Sequence, residues 1–343
     1  MGVLVIGSDG WSVALFMSPT YKDEVDMLTP QKSMSGISLV ELMISVALSI
    51  FLSMAIMDVT LRASRVNRQI QVTSEVIENG RYLSQMLHTQ LNLAGFYGWL
   101  ALAPAISDRV PNPCTDISVT GLTHALSFPV DGIDDAAKGQ KICSGDSLLG
   151  GTDVLVIRRA STLSVQSMTG LKANQHYVQA YGNLLTLTLG GTNKNLVQTQ
   201  KDRFTLAPIR AFSQIIYYVS NDHVFKRLRL LNGKYTPAEP LAEGVDDFQV
   251  EYGIDRSGDG AANVEGNSPA YVELPSSAQE WTAVVSIKYH LLLSSTDPAP
   301  DIKGIKRYAY ADKVNVSFDD NRVRRLFTGV TQLMNVSARR SAL

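Results

Sequence analysis

Charge is scarce and balanced in this chain. Its 343 residues include 31 lysines and arginines against 32 aspartates and glutamates, so the formal net charge is −1. Without a basic excess the chain has little attraction for phosphate backbones, which makes nucleic acid an unexpected partner. Charged residues form only 18% of the sequence. Together with abundant glycine, serine, threonine and asparagine, this composition favours a β-rich extracytoplasmic domain over a helical cytosolic one.

Catalytic motifs are also missing from the sequence. The five histidines are scattered, and none has the spacing of a metalloprotease site. We find no phosphate-binding glycine loop, nucleophile elbow or paired-cysteine metal motif. The sequence therefore predicts a protein that is not an enzyme and has no small-molecule substrate. A cluster of arginines predicts a basic C-terminal end, either solvated or in contact with another subunit: Arg322, Arg324, Arg325, Arg339 and Arg340.

One long apolar run dominates the sequence. From residue 37 to residue 57 the only charged side chain is Glu41, and at about 1.5 Å per residue a helix of this length crosses roughly 30 Å of hydrocarbon. The apolar side chains outweigh the roughly 2.5 to 3.5 kcal/mol that an ionised carboxylate costs at the centre of a membrane helix. The run therefore predicts a transmembrane helix. Its other polar residues are all serines: Ser38, Ser45, Ser49 and Ser53.

Glu41 is tolerated in this helix, but stability does not explain its presence. An intramembrane carboxylate is by default a functional residue, and the simplest function is to pair with a cation on a neighbouring subunit. The alternative is a residue at headgroup level near the helix start. Ser45, Ser49 and Ser53 recur every four residues on one helix face, which permits close packing in a bundle, although they are equally explained as tolerated small residues.

The residues around Glu41 form a recognisable pattern. Gly36 followed by residues 37–43, with the basic Lys32 before it, resembles the type IV pilin processing signal. The resemblance implies that a prepilin peptidase cuts after Gly36 and methylates the new amine of Ile37, where phenylalanine is commoner in the family. Glu41 would then be the fifth mature residue, facing the N-terminal amine of the adjacent pilin during assembly.

Segments farther along the chain resemble the PilW family of minor pilins. Two positions depart from the family pattern, since Trp99 stands where a cysteine is expected and Met334 where an arginine is expected. The resemblance covers the chain almost to its C terminus, in residues 78–82, 83–98, 151–159, 250–255 and 324–327.

The resemblance implies a minor pilin that primes or caps a type IV pilus. Before assembly the chain would be a single-pass protein of the inner membrane with a periplasmic C-terminal domain, and afterwards part of the pilus at the cell surface. Its partners would be the prepilin peptidase, other minor and major pilins, and the membrane. Two alternatives stay open: a pseudopilin of a type II secretion system, and a tip adhesin or other ligand-binding module on a pilin anchor.

After the apolar run the pattern becomes amphipathic, which predicts that the helix continues through residues 58–95. A mid-helix glycine costs about 1 kcal/mol relative to alanine, so we expect a bend at Gly80. The expected fold class is α+β, with the long N-terminal pilin helix packed on a C-terminal antiparallel β-sheet domain over residues 96–343. Strands are predicted at residues 153–159, 184–189, 214–220, 224–230, 248–252 and 282–293.

Residues 1–36 are expected to be a leader and not part of the fold. A leader beginning at Met27 would be short and basic, as this class of signal usually is. Residues 1–26 are then either a start-site extension or a dispensable leader.

Cys114 and Cys143 are the only cysteines, and outside the cytoplasm we expect them to pair. A disulfide closing a loop of about thirty residues would contribute roughly 3 to 4 kcal/mol of stability. The alternative is two buried thiols that do not pair.

One loop resembles the opening of a calcium site. Asp255, Ser257 and Asp259 place oxygen ligands at alternate positions before a glycine, but Gly266 stands where the closing glutamate is wanted. A plain turn between two strands explains the same residues, and calcium stays the alternative. No other cofactor is expected.

Overall fold

The computed structural model describes residues 36, 38–102, 104, 107–143, 145–165, 168–191, 196–299 and 304–342. The predicted leader lies outside the described residues except for Gly36, and so does Ile37. The chain divides into two compact units, with the boundary between Val59 and Thr60.

One long helix, α1, runs from Leu39 to Asn92 and overlaps both predicted helical segments, residues 37–57 and 58–95. Of the helices in the described part of the chain, it is the one long and apolar enough to cross a membrane. In the second unit its buried positions recur every three or four residues, and this spacing places them on one face. They are Val72, Val76, Gly80, Leu83, Leu87 and Leu91.

The first sheet of the second unit has nine strands. The strands are β1 (Trp99–Leu100), β2 (Val130–Ile133), β3 (Val154–Val165), β4 (His176–Gly182), β5 (Leu184–Leu189), β6 (Ile209–Val219), β7 (Val224–Leu231), β8 (Lys234–Tyr235) and β9 (Glu239–Glu243). Their main order is β1-β4-β6-β3-β2, with β5 beside β4, and β7 pairing with β6, β8 and β9. All pairs are antiparallel except β1 with β4.

A second sheet and a separate hairpin complete the β structure of the described residues. The sheet consists of β10 (Val245–Ile254), β11 (Tyr271–Val272), β12 (Val284–Ser294) and β15 (Arg324–Gln332), in the antiparallel order β11-β10-β12-β15. The hairpin pairs β13 (Lys306–Tyr310) with β14 (Lys313–Phe318). Two short α-helices connect strands, α2 (Val119–Ala125) and α3 (Ala278–Thr282), and a third, α4 (Met334–Arg340), follows β15.

The main core lies between the second part of α1 and the two sheets. It combines apolar side chains from all three elements, and burial of this kind is the dominant favourable term in folding. Its members include Leu83 and Leu87 of α1, Ile157 and Tyr217 of the first sheet, and Phe248 and Leu291 of the second. The predicted α+β fold, with a long helix packed on antiparallel β structure, is confirmed.

Gly80 has a packing role that the sequence did not predict. Helix α1 continues through it without interruption, and the bend expected there stays a prediction. A Cβ atom at this position would lie 2.2 Å from the ring of Phe327 on β15, a distance that real structures do not tolerate. The glycine therefore lets a sheet residue contact the helix backbone.

The predicted disulfide is confirmed. Cys114 and Cys143 are bonded, 29 residues apart in sequence, and no free cysteine accompanies them. The bond joins the segment before α2 to the loop between β2 and β3, which has little regular structure of its own.

Candidate assembly and processing site

Glu41 lies in the first turn of α1 and is exposed. The helix begins here because the amide of Leu42 donates to the carbonyl of Ser38 at 3.1 Å, closing the first turn. A carboxylate at a helix N terminus is favourable by about 0.3 to 1 kcal/mol, because it faces the positive end of the helix dipole. This gain is smaller than the several kcal/mol that a charge costs in hydrocarbon. The helix dipole alone therefore does not account for Glu41.

The apolar side chains around Glu41 are exposed along the described part of the first unit. From Leu39 to Val59 the large apolar side chains are between 50% and 78% exposed. An apolar surface of this extent is unfavourable in water, so it requires lipid or other apolar helices around it. The first unit thus has the physical character of a membrane segment or of a helix in a bundle.

Ser45, Ser49 and Ser53 of α1 form a polar stripe whose hydroxyls are already bonded. Ser45 donates to the carbonyl of Glu41, Ser49 to that of Ser45, and Ser53 to that of Ser49, each at 2.7 Å. Bonds of this type satisfy a hydroxyl within its own helix. These hydroxyls therefore need no hydrogen-bond acceptor on a neighbouring helix. The stripe offers a neighbouring helix only small side chains, which allow close approach.

Gly36 is exposed, and a Cβ placed on it would have no atom within 4 Å. Ile37, the other residue of the predicted cleavage site, lies outside the described residues. The open surroundings of Gly36 are compatible with access by a peptidase, but cleavage after it stays a prediction.

The predicted calcium loop is closed by an arginine. Asp255 is fully buried. Its carboxylate accepts hydrogen bonds from the amides of Gly258 and Gly260 at 2.7 and 3.0 Å and from Nε of Arg340 at 2.7 Å. Although burial opposes ionisation, these bonds hold the pKa of Asp255 below its usual value. The first predicted ligand already pairs with a cation of the chain, and calcium binding at this loop stays a prediction.

The other two predicted calcium ligands are also engaged within the loop. Ser257 donates to Asp255 at 3.4 Å, and Asp259 accepts from the amide of Ala261 at 2.9 Å. Asx turns of this kind order a loop without a metal ion. The structure therefore favours the plain turn that the sequence also predicted.

The predicted basic C-terminal end is wrong for most of its arginines. Arg324 is buried, Arg339 is buried, and Arg340 is half-buried against Asp255. Arg324 bonds Asp246 at 2.6 Å and Asp320 at 2.7 Å, and Arg339 donates to the carbonyl of Gly95 at 2.9 Å. These three guanidinium groups are bonded within the second unit and are not a solvated tail, whereas Arg325 is exposed.

An acidic cluster that the sequence did not indicate lies near the start of β3. Carboxylate oxygens of Asp134, Asp135 and Asp153 lie within 4.8 Å of one another, an arrangement able to hold a metal ion. Asp135 already pairs with Lys313, and the amides of Asp135 and Val250 donate to Asp153 at 3.0 and 2.7 Å. Burial raises the pKa of Asp153 to about 7. The cluster is a hydrogen-bonded junction between the two sheets, since Asp153 precedes β3 and Val250 lies on β10.

Residues 216–335, about a third of the chain, match the family model described as Type IV Pilus-assembly protein W. A solved structure similar to this chain is a type IV-like pilin from Thermus thermophilus, with 11% sequence identity, coverage of 76% of this chain and 98% of that one, and a TM-score of 0.32. No curated protein matches. The resemblance to the PilW family is confirmed over the matched residues.

Proposed function

We propose that this chain is a minor pilin that helps to prime or cap a type IV pilus. In this role it is anchored in the inner membrane by residues 37–57 until it enters the filament. The family match over residues 216–335 supports the pilus-related part of the proposal. The observation that carries the rest is a single carboxylate, Glu41, in the first turn of an exposed apolar helix.

The proposed role of Glu41 follows from its surroundings. A carboxylate among exposed apolar side chains needs a positive partner when those side chains are placed in lipid or in a bundle. Among the described residues from Gly36 to Met57 no lysine, arginine or histidine is present to supply it. A second subunit would supply it through its N-terminal amine, which cleavage after Gly36 creates and methylation keeps positive.

The first unit would bring the subunits together. Its exposed apolar side chains favour transfer from lipid into a bundle of similar helices, and its serine stripe allows helices to approach closely. The second unit, with its own core, would present the surface that contacts other minor pilins. No chemistry by the chain itself is required in this mechanism.

The test of this proposal is to neutralise Glu41 without changing its shape. Glu41→Gln is expected to leave the protein in the membrane fraction at wild-type level and to lower its amount in sheared pili by tenfold or more. Loss of a charge-assisted bond of about 1.5 to 3 kcal/mol accounts for a change of that size. Glu78→Gln is the matched control, because Glu78 is an exposed glutamate of the same helix. Equal incorporation of both variants would contradict the proposed role.

Processing is tested on the mature polypeptide. Intact-mass measurement of protein from pili is expected to give a chain that begins at Ile37 and carries one methyl group. Any other first residue would overturn the processing proposal and the pairing of Glu41 with it.

A deletion strain separates the alternatives. Loss of surface pili supports the assembly role. Loss of protein secretion with normal pili would instead indicate a pseudopilin of a type II secretion system, and normal pili with lost attachment would indicate a tip adhesin.

A further inference from the structure

Strand β15 forms a long free edge of the second sheet. It has nine residues and pairs with β12 alone, in a register without a bulge. The other described strands with a single neighbour have at most six residues, and β9 among them also has Pro240 and a register shift. Sheet edges are normally shortened or interrupted in this way, because a long regular edge invites another strand to pair. The charged residues of β15, Arg324 and Arg325, stand at its first two positions, so the rest of its edge has no such protection.

The hydrogen-bond register shows which backbone groups face this edge. The amide of Leu333 donates to the carbonyl of Val285 at 2.7 Å, and the amide of Ser295 donates to the carbonyl of Val323 at 2.8 Å. Both bonds continue the register of β12 with β15. Since bonded positions alternate in an antiparallel ladder, the odd-numbered residues of β15 bond β12 and the even-numbered ones turn their amides and carbonyls outward. The outward groups at the middle of the strand belong to Leu326, Thr328 and Val330.

These outward backbone groups are accessible. Thr328 is exposed, and Val330 is 56% exposed. In the described part of the chain no strand lies beside them, although each amide is a strong donor and each carbonyl a strong acceptor. An extended backbone matches such a row of groups, because its own donors and acceptors alternate at the same spacing. The edge therefore selects a β-strand as its ligand.

A groove beside this edge offers space for the side chains of an incoming strand. It has a volume of about 560 Å³ and lies between Arg81 of α1 and the residues Phe327 and Val330 of β15. At Gly329 a Cβ would lie 2.3 Å from the hydroxyl oxygen of Tyr289, so β15 places no side chain there. The described residues that line the groove include Arg81 and no carboxylate. A partner strand with an acidic side chain on this face would complement the groove.

The direction of β15 argues against a second copy of this chain as the partner. Phe327 lies against Gly80, and Oγ1 of Thr331 lies 3.0 Å from Nδ1 of His88, so β15 runs in the same direction as the adjoining part of α1. Antiparallel pairing of two β15 edges would reverse α1 in one copy, whereas subunits that enter a filament from one membrane point the same way. Parallel pairing of two β15 edges would turn their helix-bearing faces to opposite sides of the joined sheet. At its other edge the sheet offers only β11, which has two residues.

We infer that β15 pairs with an extended strand of a different pilin subunit, through the outward backbone groups of Leu326, Thr328 and Val330. The side chains on one face of that strand enter the groove beside α1, where an acidic one meets Arg81. This inference rests on the proposed function, and it identifies the surface of the second unit that receives another subunit.

The first test removes one outward amide. Val330→Pro deletes an N–H that faces the edge and leaves the bonds to β12 in place, because those belong to odd-numbered residues. We expect this variant to stay in the membrane fraction at wild-type level and to fall about tenfold in sheared pili, through a lost hydrogen bond and a clash of the ring with the incoming strand. Val330→Ala keeps the N–H and is the matched control, so its incorporation should stay within about twofold of wild type.

Photo-crosslinking identifies the occupant of the edge. Benzoylphenylalanine replaces Val330 or, as the control, Val314, an exposed valine on β14. In irradiated intact cells the probe at Val330 is expected to crosslink to a subunit that carries its own prepilin-type signal, through a segment with the alternating pattern of a strand. The probe at Val314 should not crosslink to that segment. This measurement also tests the inference if Val330→Pro does not fold, which its melting temperature checks.

Three results would overturn the inference. They are equal incorporation of Val330→Pro and Val330→Ala, a crosslink from Val330 to a second copy of this chain, and the absence of a crosslink from Val330 to any other pilin subunit. Wild-type incorporation of Val330→Pro beside depleted Glu41→Gln would overturn this inference and leave the proposed function standing. Wild-type incorporation of Glu41→Gln would count against the proposed role of Glu41, and a crosslink from Val330 to another pilin would still support pairing at the edge.

Discussion

Gly80 illustrates how one missing methyl group sets the distance between a helix and a sheet. Alanine at a helix interior is normally favoured over glycine by about 1 kcal/mol. Here the added Cβ would meet the ring of Phe327 at 2.2 Å, and overpacking in a core typically costs 1 to 3 kcal/mol. The cost of the clash with Phe327 therefore exceeds the gain in helix propensity from alanine.

Gly80→Ala is expected to lower the free energy of unfolding by about 1 to 2 kcal/mol, measured by denaturant titration of the full chain. Ser74→Ala, at an exposed position of the same helix, is the control and should be neutral or slightly stabilising. Adding Phe327→Leu to Gly80→Ala should recover part of the loss. A Gly80→Ala variant as stable as Ser74→Ala would show that the ring moves aside without cost.

The carboxyl group of Asp153 makes the free energy of unfolding depend on pH. Its pKa is about 7 in the folded protein, because burial disfavours the charged form, against 3.8 for an ordinary aspartate. The folded state therefore keeps a proton that the unfolded state releases. The resulting stabilisation is complete below pH 3.8, the ordinary pKa of aspartate, and is lost as the pH rises to about 7, the pKa of Asp153 in the folded protein.

We expect the stability advantage of the wild type over Asp153→Asn to fall by a few kcal/mol between about pH 4 and pH 8, since one pKa unit corresponds to about 1.4 kcal/mol. Denaturant titrations of both proteins across this range measure it. Asp319→Asn, at an exposed position, is the matched control. A difference that stays constant with pH, or that changes equally for both variants, would contradict the assignment.

Single residues also show where prediction from sequence ends. The polar spacing around Asp255 predicted a loop correctly, but nothing local indicated that its cation would be Arg340, 85 residues later. Likewise Arg158 lies in a correctly predicted strand, yet it is fully buried and bonds Asp131 at 2.6 Å. Partners this distant in sequence are set by tertiary packing, which periodicity does not encode.

At the scale of elements, α1 and the core strands were predictable because their signals are long. Each of the six predicted strands overlaps one observed strand, namely β3, β5, β6, β7, β10 or β12. The hairpin β13–β14 and strand β15 were missed, as were β1, β2, β4, β8, β9 and β11. Helices α2 and α3 were missed because each is one or two turns long, although their caps left a signal: Ser118 accepts from the Gly121 amide, and Ser277 from the Glu280 amide.

The serine stripe of α1 gives a prediction about an element as a packing surface. Because each hydroxyl is bonded within its own helix, Ser49→Ala removes no bond between helices and should leave incorporation into sheared pili within about twofold of wild type. Ser49→Leu keeps the segment apolar but blocks close approach, so incorporation should fall severalfold. Ala47→Leu, two residues away and so on the opposite side of the helix, is the control. Equal effects of the two leucines would show that the stripe is not the contact face.

At the scale of the whole molecule, the orientation in the membrane is the point on which two sequence signals disagree. Arg62, Arg65 and Arg68 follow the apolar run, whereas Lys32 is the nearest basic residue before it. Basic residues prefer the cytoplasmic side, so this bias alone would place the second unit in the cytoplasm. The Cys114–Cys143 bond favours the opposite side, because disulfides persist in oxidising compartments and are rare in the cytosol.

We expect the disulfide to decide the question. When intact cells are treated with a maleimide, neither Cys114 nor Cys143 should be labelled until a reductant is added. The reason is that the second unit is proposed to lie in the periplasm, where the two cysteines stay bonded. Cys114→Ser with Cys143→Ser should lower the free energy of unfolding by roughly 3 to 4 kcal/mol, because the unfolded chain regains the freedom of an open loop. Glu78→Gln, which leaves both cysteines in place, is the labelling control. Labelling of both thiols without reductant would place the second unit in a reducing compartment, and the arginines after the apolar run would then account for the orientation.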